Sequence, residues 1–224
     1  MSSSSVKTYR WLVFLLALGY SLYLFVVTDH SAFGWQFRFL TIWALSTNLL
    51  VAGQMLRLSF GKTKNDWNSF VSMGIVLNVV VVVNYWKLFL TDPTALDPDG
   101  NGLIWYMEYY LHLMGPVLMV FDAFVFLGVF RNVRRVCLYA VILCLAYPAW
   151  AEFVVAPMNS VPIGSVTNGL PYPFLNNMQI PQRLTFYSTI MASNFVFIGI
   201  GWGIARIAAA RQNQQSPLPV TADS

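Results

Sequence analysis

Six long apolar runs follow one another along the chain, at about 11–28, 37–60, 67–91, 103–130, 134–156 and 182–209, with short polar stretches between them. Each is long enough to cross the roughly 30 Å hydrocarbon core of a bilayer as a helix. The pattern predicts an all-α fold: one six-helix transmembrane bundle over residues 1–211, followed by a tail at 212–224. That tail is rich in Gln, Ser and Pro, a composition that predicts disorder. The first ten residues are short and polar, and the run after them is too long for the core of a signal peptide. It therefore reads as a retained span.

The basic residues predict an orientation. Lys7 and Arg10 precede the first run, and Arg57, Lys62 and Lys64 follow the second. Arg131, Arg134 and Arg135 lie between the fourth and fifth, and Arg206 and Arg211 end the sixth. Ten of the 13 Lys and Arg residues thus fall on one side, leaving Arg38, Lys87 and Arg183 near the other. The positive-inside rule then puts both termini in the cytoplasm. The outward connections differ in character. Residues 91–102 are acidic and turn-rich, whereas 157–182 has no charged residue, five prolines and the apolar motif Tyr172-Pro173-Phe174-Leu175. The latter is expected to lie along the outer interface as a lid over the bundle.

Composition agrees. The 224 residues are 57% hydrophobic and only 10% charged, too apolar for a soluble domain of this size. The net charge of +4 follows the topology and points to no nucleic-acid partner. Cys137 and Cys144, seven apart in one run, share a helix face as small hydrophobes and suggest no disulfide framework.

Two runs carry candidate chemistry. In the fourth, His112 is the only histidine within an apolar run, with Glu108 one turn before it and Pro116 four residues after it. Proline has no N–H, so the His112 carbonyl loses its usual helical donor and a kink is expected there. An ionisable ring at membrane depth is a functional-site candidate, although a satisfied packing histidine beside a structural proline has the same pattern. In the second run Thr41 and Asn48, seven apart, share a helix face. Thr41 and His112 lie roughly 9 Å and 13 Å from the outer ends of their runs at 1.5 Å per residue, so a hydroxyl and an imidazole reach similar depths. Such a pair suits a nucleophile and its base, while a span threonine also commonly bonds its own helix. Thr185, near the outer end of the last run, is the internal rival.

Phe-Arg-Phe-Leu-Thr at the start of the second run, Thr-Asn-Leu-Leu after it, His-x-x-x-Pro in the fourth run and Tyr-Pro-Phe-Leu before the last form a specific combination. Together they resemble the androgen-induced-gene-one family of six-span membrane proteins, and most closely its bacterial relatives, over nearly the whole chain. The resemblance implies an integral-membrane hydrolase of fatty-acid esters of hydroxy fatty acids that uses one threonine and one histidine, here Thr41 and His112. In that chemistry His112 takes the Thr41 proton as the oxygen attacks an ester carbonyl, then returns it to the leaving alcohol. Glu108 would orient the ring, and Asn84 or Arg183 would supply the oxyanion donor. Arg38 and Arg183 would hold a substrate carboxylate or snorkel at the interface. The expected substrate-contacting set is Arg38, Asn48, Asn84, Glu108 and Arg183.

Asp97, Asp99, Asn101, Gly102 and Glu108 also match the spacing of a calcium-binding loop. Turn composition supplies most of these residues by itself, and no metal or other cofactor is assigned. Against an esterase stands a membrane carrier or transporter of a small or lipid ligand that uses the same polar centre. Two-histidine haem ligation fails, because the runs contain one histidine. A faint echo between Arg38-Phe-Leu-Thr41 with Asn48 and Arg183-Leu-Thr185 with Asn194 disagrees in spacing and does not establish a repeat. The expected partners are membrane lipid and a lipid ester, in a plasma or inner membrane.

Overall fold

The structure is a computed structural model that describes residues 3–28, 30–61, 67–96, 104–159 and 169–215. Every apolar run is a helix: α1 (Ser3–Val27), α2 (Leu40–Ser59), α3 (Asn68–Thr91), α4 (Trp105–Leu127) and α5 (Val133–Met158). A short α6 (Pro173–Asn176) precedes the long α7 (Ile180–Gln215). No strand occurs among the described residues. Five of the helices (α1, α3, α4, α5 and α7) are long and apolar enough to cross a membrane, as in an integral membrane protein. The 20-residue α2 is interrupted by Thr41, Ser46, Thr47, Asn48, Gln54 and Arg57, and it is well buried, with Val51, Ala52 and Met55 almost inaccessible.

Helix α3 organises the packing: α2, α4, α5 and α7 all contact it, while α1 covers α2 and α4. In a bilayer, lipid is as apolar as leucine, so close packing and polar links rather than burial hold helices together. Gly74 of α3 illustrates this. A β-carbon there would meet the Thr47 methyl of α2 at 3.0 Å, so glycine permits the close approach. Around that contact Val51, Met55, Val71, Val76, Met119, Ala123, Val136, Ala140 and Ile198 form one core.

Polar links span the same interfaces. Asn48 and Asn78 exchange amide hydrogen bonds at 2.9 and 2.7 Å, and Asn78 also donates to the Gly74 carbonyl at 2.7 Å. Links of this kind are worth about 0.5–2 kcal/mol each in a membrane. Near the far ends of α2 and α4, Arg10 of α1 makes a buried ion pair with Asp122 of α4 at 2.8 Å. The same guanidinium donates to the Met55 carbonyl at 3.1 Å and the Ser59 hydroxyl at 3.0 Å, joining three helices. Sequence reasoning placed Arg10 only as a flanking charge.

Three helical turns are widened to the π form: Tyr110–Met114, Ala123–Leu127 and Ala151–Val155. The first and third lie just before Pro116 and Pro157, where a missing N–H breaks the α-helical register. One carries His112 and the other Glu152.

Candidate functional site

A cavity of about 480 Å³ opens at the end of the bundle where α2 begins. Its walls come from α2, α3, α4, α5 and α7 and from the segment around α6. Most of the lining is aliphatic or aromatic, as suits a lipid chain, with polar groups concentrated among Thr41, Asn84, Lys87, Glu108, His112, Tyr172 and Asn194.

His112 reaches this cavity from the π turn. Its ring is buried, stacked on the Tyr85 ring with centroids 3.7 Å apart and planes within 5°. The Glu108 carboxylate, one turn earlier, stands 3.5 Å from Nε2 and accepts a hydrogen bond from the Tyr85 hydroxyl. At that separation the carboxylate orients the ring without a strong hydrogen bond. Nδ1 has no hydrogen-bond partner among the described residues. The main-chain carbonyl of His112, whose α-helical donor would be Pro116, accepts instead from the Trp86 indole at 2.9 Å. The expected backbone disturbance is present, and a side chain of α3 compensates it.

Thr41 enters from the first turn of α2, beneath the α6 segment. The N–H groups of a first turn lack helical acceptors, and that of Leu40 donates to the Tyr172 hydroxyl at 3.0 Å. The Thr41 hydroxyl and N–H also lie against the Tyr172 oxygen. Thr185 differs: it is exposed, outside the cavity, and its hydroxyl donates to the Pro181 carbonyl at 2.9 Å.

The remaining residues singled out by sequence divide between cavity and surroundings. Asn84 lines the cavity, with one amide hydrogen on the Val80 carbonyl at 2.7 Å. Asn48 lies outside it, in the pair with Asn78. Arg38 and Arg183 are also absent from the lining. Arg38 lies over the Phe39 ring at 4.9 Å, and Arg183 pairs with Glu152 at 2.8 Å, an acceptor shared with the Tyr187 hydroxyl at 2.9 Å. Side chains that sequence reasoning gave no site role also line the cavity, among them Lys87, Tyr172 and Cys144, whose sulfur accepts from Asn194 at 3.4 Å. Both cysteines are free thiols.

Asp97, Asp99 and Asn101 of the calcium-loop pattern lie outside the described residues. Among the described residues no group of three or more His, Cys, Asp or Glu side chains is arranged to hold a metal. Residues 160–168 of the expected lid are likewise outside the described set, but Pro171 to Leu175 form part of the cavity wall.

The model of one family, described as FAR-17a/AIG1-like protein, matches residues 7–206. The chain belongs to the FAR-17a/AIG1-like family. The match takes in all the cavity-lining residues of this FAR-17a/AIG1-like protein, from Phe39 just before α2 to Asn194 on α7. Neither the curated proteins nor the solved structures contain a match.

Proposed function

We propose that this protein is an intramembrane lipid-ester hydrolase in which Thr41 is the nucleophile and His112 its general base. One observation carries the reading: a threonine from α2 and a buried histidine from α4 line a single, mostly apolar cavity, and the histidine keeps one ring nitrogen unengaged. The Thr41 proton passes to Nδ1 as the hydroxyl oxygen bonds to the ester carbonyl carbon. The tetrahedral intermediate then collapses, the C–O bond to the alcohol breaks, and the alcohol leaves with the proton held by His112. Water, deprotonated by the same ring, releases the fatty acid and restores Thr41. Glu108 and the Tyr85 ring hold the imidazole in place throughout.

The cavity size and lining favour a long acyl chain, and the family resemblance favours fatty-acid esters of hydroxy fatty acids. Such a substrate bears a free carboxylate. Lys87, exposed at the cavity margin, is the cation that would receive it, since Arg183 is held by Glu152 and Arg38 lies outside the lining. We read α2 as the sixth span and both termini as cytoplasmic, in a plasma or inner membrane. Tags near Gly164 and after Ser216 should then be reached from opposite sides, and finding both on one side would overturn the six-span reading.

A fluorophosphonate probe tests the chemistry. The purified protein should be labelled, Thr41→Ala should abolish labelling, and Thr185→Ala should leave it intact. Labelling that survives Thr41→Ala, or a ligand bound tightly without any turnover, would favour a carrier over an esterase.

A further inference from the structure

The reaction above develops a negative charge on the carbonyl oxygen, which needs a donor beside Thr41. Arg183 is committed to Glu152 at 2.8 Å and to the Met178 carbonyl at 2.9 Å, outside the cavity. Asn84 directs an amide hydrogen to its own helix at 2.7 Å. Tyr172, from the connection before α7, fills the place instead.

Its hydroxyl oxygen accepts the Leu40 N–H at 3.0 Å and lies against the Thr41 hydroxyl. Tyr147, whose hydroxyl donates to the Arg38 carbonyl at 2.9 Å, lies beside the same Tyr172 oxygen. Tyr172 is therefore held as an acceptor by the backbone of α2 and keeps a proton to donate. Burial pushes its hydroxyl above the usual tyrosine range, which keeps that proton in place. The ring is fixed edge-on to Phe39 at 5.7 Å and stacked with Phe174 at 5.5 Å. The Leu175 N–H caps the Tyr172 carbonyl at 3.0 Å. A pre-positioned donor beside a nucleophile costs no reorganisation when charge appears.

We propose that Tyr172 is a catalytic residue whose hydroxyl, polarised by the Leu40 N–H, stabilises the oxyanion formed when Thr41 attacks the ester carbonyl. The inference rests on the Thr41–His112 reading. As the Thr41 oxygen bonds to the carbonyl carbon, the carbonyl π pair moves to its oxygen, which accepts the Tyr172 O–H. No proton leaves Tyr172. On collapse the carbonyl re-forms, and the departing alkoxide takes the proton from His112. A segment outside the long helices thereby completes the site.

Tyr172→Phe keeps the ring contacts and removes the donor. With p-nitrophenyl butyrate its kcat should fall about 10²–10³-fold while KM changes little, the range for loss of one oxyanion donor. Reaction of Thr41 with a fluorophosphonate should slow in parallel, because the phosphonyl oxygen uses the same donors. Replacing Tyr172 with a ring-fluorinated tyrosine keeps both packing and donor, so kcat should stay within about threefold of wild type. A kcat of Tyr172→Phe equal to wild type, or a change confined to KM or thermal stability, overturns the inference. So does a loss on fluorination as large as that of Tyr172→Phe. Each of these leaves the Thr41–His112 reading standing if Thr41→Ala is inactive, whereas an active Thr41→Ala removes both.

Discussion

The Trp86 indole donates to the main-chain carbonyl of His112 at 2.9 Å, the carbonyl that Pro116 deprives of its α-helical donor. The bond crosses from α3 to α4 and fixes the π turn that carries the imidazole. The Tyr85 ring, the preceding residue on α3, stacks on that imidazole from the same helix. Proline and indole thus act together: one widens the turn, and the other satisfies the group it exposes.

Trp86→Phe keeps an aromatic ring but removes the donor. A buried carbonyl left unsatisfied costs about 1–3 kcal/mol. We expect a lower thermal midpoint in detergent and a drop in kcat, because His112 loses its anchor. An unchanged midpoint together with unchanged turnover would show that the bond has no part in holding the site.

The helices, and the irregularity at His112, were legible in the sequence because both are local. Apolar run length specifies a helix, and a proline four residues after a histidine specifies a defect in the hydrogen-bond ladder. Glu108 was legible as the histidine's neighbour for the same reason, being one turn away. Tyr172 was not, since the connection that carries it has no period from which to infer a direction. Lys87 and Arg183 illustrate a second limit: the charge count placed both at the outer side, but only packing decides that Arg183 meets Glu152 and Lys87 the cavity. Asp122 and Glu152 were the available signals, because carboxylates within apolar runs call for partners. The partner of Asp122 lies 112 residues away, which no local pattern identifies.

The Arg10–Asp122 pair should carry stability rather than chemistry, since it sits at the end of the bundle away from the cavity. Breaking a buried pair by removing one member costs about 3–5 kcal/mol, because the other charge is left uncompensated. Arg10→Ala should therefore lower the thermal midpoint strongly, and Arg10→Met combined with Asp122→Leu should recover much of the loss. Equal destabilisation in the single and double variants would mean that the two charges act independently.

Lys87 should discriminate between esters by charge. With its ammonium partly in solvent, an ion pair to a substrate carboxylate is worth about 1 kcal/mol, or roughly fivefold in affinity. Lys87→Met should raise KM by about that factor for an ester bearing a free carboxylate and leave kcat unchanged. KM for the corresponding methyl ester, which has no charge to read, should not move. An equal effect on both substrates would show that the side chain shapes the cavity margin and reads no charge.

The most direct test of the central claim is ester turnover by Thr41→Ala, His112→Ala and the double variant, each purified as folded protein and compared with wild type. Loss of the base alone costs about 10²–10⁴ in rate, and residues that act as one unit are strongly non-additive. Both single variants should therefore lose most turnover, and the double variant should be little worse than either. Thr41→Ser, which keeps the hydroxyl and loses a methyl group, should retain most of the activity, as should Thr185→Ala. Full turnover in folded Thr41→Ala, or its loss in Thr185→Ala, would contradict the assignment of Thr41 and His112 as the reacting pair.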